Sequence, residues 1–344
     1  MRRALILGGT GMIGRATARH LVKAGWQVDV TGRDPAHMPS DLADAGARFV
    51  AADRADAAAL QRALGEGVDL LVDCVCFTAA DARTLLPLAA HATSTALISS
   101  KAVYVDAKGN HANSDTPPDY AGAISEDQPT LPPGDMDYQS REGYGPNKVA
   151  AELVALESGL PISVLRPSRV HGVGSERPRE WVFVKRALDR RSVLLLGDAG
   201  AGVVHPTAAV NIAALIETVA AKPGSRILNS ADPDAPSALE ISRIIAKRLG
   251  HTWDEVLLDG RAPVDLGRTP WDSKHPVVLD TSASVALSYV PVGDYAATVA
   301  DEVDWLVNAG RTGDPEGILP DPQDPFFLPF LDYAAEDAYL AERS

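Results

Sequence analysis

The residues of this chain best suited to chemistry are Tyr144 and Lys148, four apart in Tyr144-Gly145-Pro146-Asn147-Lys148. Apolar residues at helical spacing follow them, so the pair sits at the start of a helix and shares one face. A phenol titrates near 10 and is a poor proton carrier at neutral pH; bringing it to about 7 takes roughly 4 kcal/mol of preferential phenolate stabilisation. A neighbouring ammonium supplies a field of that sign. The third candidate is Ser100, in Ser99-Ser100-Lys101-Ala102-Val103-Tyr104 at the end of an apolar run. Taken singly, each is an ordinary surface or packing residue. Together, an alcohol that orients a substrate oxygen and a phenol that exchanges its proton make an acid/base site.

Such a site needs an electron-pair acceptor, and the N-terminus offers a place for one. The run Ala4 to Leu7 leads into Gly8-Gly9-Thr10-Gly11-Met12-Ile13-Gly14. A strand passing through spaced glycines into a helix is a dinucleotide turn: Gly8 permits the bend, Gly11 the approach of phosphates, and Gly14 close packing of helix on strand. Thr10, Met12 and Ile13 complete the cradle. After the second strand the chain reads Thr31-Gly32-Arg33. NAD binding usually places a carboxylate there to hold the ribose hydroxyls; with a guanidinium instead, NADP is the expected cofactor and NAD the alternative, which Asp34 keeps open. Asp53, after the third strand, is a candidate for the adenine amino group or for a helix cap.

These parts require a sheet. Apolar runs at Ala4–Leu7, Gln27–Thr31, Arg48–Ala51, Leu70–Val75, Ala96–Ser99, Ile162–Arg166 and Arg226–Asn229 alternate with helical patterns at Ile13–Ala24, Ala57–Leu64, Ala80–His91, Pro146–Leu156 and Thr207–Ala220. That alternation predicts an α/β fold, a doubly wound, Rossmann-type parallel sheet of about seven strands. Residues 1–174, with 203–232 returning, form the expected dinucleotide-binding domain; 175–202 and 233–310 form a smaller substrate-binding domain. The tail, 311–344, carries Phe326-Phe327-Leu328-Pro329-Phe330 and packs on the body or on another subunit. Asp106 to Ser140, rich in Pro, Gly, Asp and Asn, is a long loop that can act as a lid; its Glu126-Asp127 pair is expected to be solvated.

Composition narrows the partners. The formal net charge of −14 opposes nucleic acid and anionic membrane surfaces. Cys74 and Cys76, the two cysteines, fall on one side of a predicted strand as packing residues, and no His or Cys spacing supplies a metal site. The apolar run after Met1-Arg2-Arg3 stops at Leu7, too short for a secretory leader, and no stretch reaches a membrane span. A cytoplasmic enzyme with a small-molecule substrate is the expectation.

With these motifs the chain resembles the extended short-chain dehydrogenase/reductase family, the NAD-dependent epimerase/dehydratase group, over roughly residues 1–310. The likeness rests on the glycine turn, Asp53 before Ala55-Asp56, Ser-Ser-x-x-Val-Tyr, Tyr-x-x-x-Lys, Arg166-Pro167-Ser168-Arg169-Val170-His171-Gly172 and His205-Pro206-Thr207. The resemblance implies that Tyr144 is the acid/base, that Lys148 tunes it and holds the nicotinamide ribose, and that Ser100 orients the substrate oxygen. Pro167 and Ser168 would lie by the nicotinamide, Val75 and Cys76 by the cofactor ribose. The family's frequent Asn is replaced by Arg169, and an Arg-Asp pair by Ala201-Gly202. The first change makes Arg169 a candidate substrate contact, and the second removes a charge-assisted contact to a diphosphate. His205 is a further candidate contact, although hydrogen bonding within the fold is the plainer role for it and for His171. The resemblance also implies a homodimer through the helix after Tyr144. Leu71 to Arg83 is similar to the atypical branch, which includes reductases and RNA-binding relatives. Three readings follow: a reductase or dehydrogenase, an epimerase or dehydratase of sugar-like substrates that retains NAD, and a non-catalytic dinucleotide- or RNA-binding protein.

Overall fold

The computed structural model describes residues 1–259, 263 and 265–343. Positions 260–262 and 264, inside the expected substrate-binding segment, and 344, at the end of the expected tail, lie outside the described residues.

The first strands and helices alternate as the sequence pattern demands: β1 Arg3–Leu7, α1 Met12–Lys23, β2 Gln27–Gly32, α2 Ser40–Asp44, β3 Arg48–Ala51, α3 Ala57–Leu64, β4 Val68–Asp73, α4 Ala79–Ala89, β5 Ala92–Ile98, α5 Tyr144–Glu157 and β6 Ile162–Pro167. After these come β7 Arg169–His171, α6 Trp181–Leu188, β8 Val193–Leu196, β9 Pro206–Ala208, α7 Ala209–Ala221 and β10 Arg226–Ser230. The chain closes with α8 Ala238–Leu249, β11 Asp254–Leu257, α9 Ser282–Ala286, α10 Tyr295–Thr298, α11 Ala300–Thr312 and α12 Tyr333–Ala341.

Seven strands form one parallel sheet in the order β10-β6-β5-β4-β1-β2-β3. Strand order reverses between β1 and β4, and it is outside the carboxyl ends at such a reversal that open α/β sheets leave a crevice. Alternation along each strand feeds two apolar layers. Ile6, Val30, Leu70 and Val72 pack with Leu21 of α1 and Ile212 and Ile216 of α7. Leu5, Leu7 and Leu71 face the other way, onto Leu60, Leu85 and Ala151 of α3, α4 and α5. The doubly wound fold is therefore as expected.

β4 and β5 depart most from the expected strand boundaries, the others by at most one residue at an end. β4 ends at Asp73 because the Asp73 carboxylate accepts the Val75 N–H at 3.0 Å and bends the chain. Cys74 and Cys76 consequently do not share a side: Cys74 packs with the first layer and Cys76 with the second. β5 starts four residues early, at Ala92, where Ser94 and Thr95 hide the strand in the sequence; the buried Ser94 hydroxyl donates to the Val219 carbonyl at 3.1 Å.

Beyond β6, two small parallel pairs form, β7 with β9 and β8 with β11. A further apolar cluster joins Trp181 and Phe183 of α6, Ile241 and Ile245 of α8, Trp271, and Val303 and Leu306 of α11. Phe327 and Phe330 of the tail are buried in it, and Arg186 of α6 is ion-paired with Glu336 of α12, so the tail packs on its own body. The 106–140 loop is likewise anchored. Asp106 accepts the amides of Lys108, Asn110 and Asp119 at 2.8, 2.8 and 3.0 Å, and Ile124 is buried against Tyr104, Val149 and Leu279. The Asp119 amide foremost holds the Asp106 carboxyl well below its ordinary range. Glu126 is not a solvated loop acid: it accepts the Asn229 N–H of edge strand β10 at 2.6 Å.

Candidate active site

A cleft of about 870 Å³ runs along the carboxyl edge of the sheet from the glycine turn to the start of α5. Gly8 has φ +76°, and a Cβ there would meet Val75 Cγ1 at 2.6 Å; one on Gly14 would meet the Gly8 carbonyl oxygen at 2.4 Å. Gly11 is different: a Cβ there would meet only the Gly8 oxygen, at 3.6 Å, so its side faces open cleft. Gly11 is also the N-cap of α1 and offers no capping side chain, and the first turn holds no acidic residue. The first-turn amides of Met12, Ile13 and Gly14 lack intrahelical acceptors, so the helix end is built to receive an anion.

Across the crevice, α5 begins at Tyr144, whose half-buried ring lines the cleft. Lys148, one turn on, is buried and donates from Nζ to the Cys76 and Ile98 carbonyls at 2.7 and 3.1 Å. Two of its three N–H groups are thereby fixed and the third is free. Its Nζ stands 4.4 Å from the Phe77 ring centroid and 5.9 Å from that of Tyr144. Ser100 follows β5 and its hydroxyl accepts the Ala102 N–H at 3.1 Å, which leaves its own hydrogen to donate. Behind them Glu152 of α5 holds Arg166 of β6 at 3.0 and 2.5 Å and accepts the Ser99 hydroxyl, locking α5 against the ends of β5 and β6.

The cleft brings together Gly8, Gly11, Met12, Ile13, Gly14, Val75, Ser100, Tyr144, Lys148, Pro167, Ser168 and Arg169. Other candidates stand outside its lining. Thr10 points toward Gly32, and its carbonyl accepts Arg15 Nε. Cys76 is buried, burial pushes its thiol up, and only its carbonyl reaches Lys148. Arg33 is exposed after β2, while Asp34 is occupied by the Ala36 amide at 2.8 Å. Asp53 is exposed and accepts the Ala55 N–H at 2.8 Å; the cap of α3 is Asp56. His205 is committed to the fold, its Nδ1 accepting the Leu279 N–H at 3.1 Å and its Nε2 lying 2.8 Å from the Asp232 carbonyl oxygen. Burial pushes its imidazole below the ordinary range. His171 is also buried, 2.9 Å from Asp232.

Several cleft residues escaped the sequence reading. Phe77, stacked on Tyr138 at 5.1 Å, and Asn113 come from turns without periodicity. Arg177 and Arg179 come from the irregular stretch before α6. Lys101, next to Ser100, is half-buried; burial and then Arg169 and Arg179 push its ammonium down to about 7. Below lies a buried network in which Glu302 accepts the Gly172 N–H at 2.6 Å and Glu180 the Tyr295 hydroxyl at 3.1 Å. Glu180, Glu302 and His171 bring potential ligand atoms within 4.8 Å of one another. Burial and then the field of Glu180 push the Glu302 carboxyl well up.

Solved structures with this architecture include dTDP-glucose 4,6-dehydratase from Bacillus anthracis in complex with NAD, at 16% identity and TM-score 0.67 over 90% of this chain and 98% of that one. UDP-glucuronic acid 4-epimerase from Bacillus cereus, in complex with UDP-glucuronic acid and NAD, matches at 18% identity and TM-score 0.63 over 89% and 99%. A dTDP-glucose 4,6-dehydratase from Streptomyces venezuelae, with NAD bound, matches at 23% and 0.63 over 90% and 98%. At such identities the likeness is one of fold. No curated protein sequence matches the chain. The model of the NAD dependent epimerase/dehydratase family, however, matches residues 4–203, more than half of the chain and the whole span from glycine turn to Arg169. The chain belongs to the NAD dependent epimerase/dehydratase family.

Proposed function

We propose that this protein is an NAD(P)-dependent oxidoreductase acting on a hydroxyl or carbonyl group of a small, sugar-like substrate. When bound, the nicotinamide takes or gives the hydride; the chain's own residues handle the oxygen and its proton. Tyr144 exchanges the proton with the substrate oxygen, and Ser100 donates a hydrogen bond to that oxygen. Lys148, fixed by two carbonyls, directs its remaining N–H at the nicotinamide ribose and keeps positive charge beside the phenol. The pyrophosphate would rest on the open side of Gly11 and the first amides of α1, with Val75, Pro167 and Ser168 along the rest of the cofactor and Arg169 toward the substrate. Arg33, with Asp34 turned into its own cap, supports NADP. The observation that carries the reading is that Ser100, Tyr144 and Lys148 line the same cleft as the glycine turn.

A second reading, an epimerase or dehydratase that takes hydride and returns it, is favoured by the family and by the NAD and sugar nucleotides in its structural neighbours. A non-catalytic RNA-binding role is disfavoured by the net charge of −14. No helix among the described residues is long and apolar enough to cross a membrane. A cytoplasmic homodimer joined through α5 accords with the reading.

The test is to identify the dinucleotide released from purified protein on denaturation, then to offer UDP-glucose, UDP-glucuronate and simpler sugars with NAD or NADP. Product formation matched by a change in reduced-nicotinamide absorbance supports the dehydrogenase; conversion without net change supports the second reading. Failure to bind either dinucleotide contradicts both.

A further inference from the structure

Charged groups inside a folded chain are ordinarily paired. Here Arg54 meets Asp73, Arg166 meets Glu152 and Arg186 meets Glu336. Lys101, Arg169 and Arg179 break that pattern. All three are half-buried in the wall of the cleft, and among the described residues none makes a side-chain hydrogen bond or ion pair. The Arg179 Nε atom is sealed from solvent and has no partner among the described residues. The acids nearest in effect are committed elsewhere or too far to pair: Glu180 holds Tyr295, Glu302 holds Gly172, and Asp272 holds Thr269.

We propose that the substrate carries an oxyanionic group, a carboxylate or a phosphate, and that Lys101, Arg169 and Arg179 seat it beside Ser100. The inference rests on the oxidoreductase reading of the same cleft and extends it to substrate class. Unpaired cations in a poorly solvated wall are costly until an anion enters, and the planar guanidinium groups suit a carboxylate or phosphate edge. Lys101 directly follows the residue that orients the substrate oxygen, so the anionic group belongs to the reacting part of the molecule.

The ammonium of Lys101 faces Arg169 from β7 and Arg179 from the turn before α6, and the same cleft wall carries Arg177, Glu176, Tyr144 and Lys148. Burial and then those two arginines hold it near 7, and an entering anion favours the protonated form. Binding therefore takes up a proton, and affinity falls as pH rises above about 7.

Titration calorimetry on protein loaded with whichever of NAD and NADP it binds tighter, using inorganic pyrophosphate and D-glucuronate, tests this and separates the two sources: the tighter probe identifies phosphate or carboxylate. Lys101→Met, Arg169→Gln and Arg179→Gln should each weaken the preferred probe by at least about tenfold. Lys101→Arg should keep affinity and lose the pH dependence. Dinucleotide affinity should stay within about twofold of wild type, and the ligand-free variants should melt no lower than wild type, since each loses a repulsive charge. Three results would overturn the proposal. One is that folded, dinucleotide-loaded wild type binds neither probe. Another is that probe affinity ignores all three neutralisations. The third is that the variants lose dinucleotide affinity instead, which would hand the cluster to the cofactor's phosphates. Because the readout is binding, the outcome is independent of whether Tyr144 proves to carry the proton.

Discussion

At the scale of single residues, this cleft separates groups that are held from groups that are free. Lys148 is held at two N–H groups by carbonyls from the turn after β4 and the end of β5, Ser100 is held as an acceptor, and the Tyr144 hydroxyl has no partner within the described residues. Only free donors and acceptors can meet a ligand, so the arrangement aims one ammonium hydrogen, one hydroxyl hydrogen and one phenol into the same space. Ser100→Ala should therefore lower turnover by about tenfold or more while leaving cofactor affinity in place, which steady-state kinetics beside a dinucleotide titration would show. Beneath the cleft, Glu302 is fully buried next to Glu180 and its carboxyl is raised. The sign of its effect on stability follows from linkage. Above about pH 4.3 the unfolded chain releases this proton while the folded chain keeps it, so stability falls as pH rises toward the folded value. Glu302→Gln, which can still accept the Gly172 N–H, should raise Tm at about pH 8 and change it little at about pH 4. An equal or opposite shift at the two pH values, by thermal unfolding, would count against a raised carboxyl.

At the scale of elements, the glycine turn makes two roles separable. A Cβ on Gly14 would stand 2.4 Å from the Gly8 oxygen and 2.6 Å from the Gly9 Cα, both backbone atoms, so Gly14→Ala should damage the fold itself. Gly11 abuts open cleft, so Gly11→Ala should keep Tm near wild type yet weaken dinucleotide binding at least tenfold. Thermal unfolding and fluorescence titration of the two variants check the contrast. The same elements show what the sequence made legible. Strands built mostly of apolar residues, such as β1 and β6, were readable to within a residue, and the helix that opens at Tyr144 to within two. The start of β5 is hidden because Ser94 and Thr95 are polar yet buried, and the expected β4 is displaced two residues toward the C-terminus because a side chain, Asp73, ends the strand. The Ser100, Tyr144 and Lys148 motifs were legible because their spacing coincides with element ends. Phe77, Arg177 and Arg179 were not, since they reach the cleft from irregular turns whose course is set by tertiary contacts. His205, a candidate contact whose plainer role was hydrogen bonding within the fold, has its ring spent on backbone groups of two other segments.

At the scale of the whole molecule, one sheet edge collects segments distant in sequence, and the rest of the chain steadies that edge. The tail contributes by burying Phe327 and Phe330 among the aromatic residues of α6 and its neighbours. Phe327→Ala should cost about 3–5 kcal/mol of stability, measurable by denaturant unfolding, with no direct loss of dinucleotide affinity. The 106–140 loop, tied down by Asp106, Ile124 and Glu126, forms a fixed wall that presents Asn113 to the cleft. In the function proposed above, this assembled edge moves a proton through Tyr144 while a dinucleotide lies on the glycine turn. Its most direct test is Tyr144→Phe, with dinucleotide affinity and substrate turnover measured on the same preparation. The account predicts affinity within about twofold of wild type and turnover reduced by at least about a hundredfold; undiminished turnover would show that the proton travels by another group.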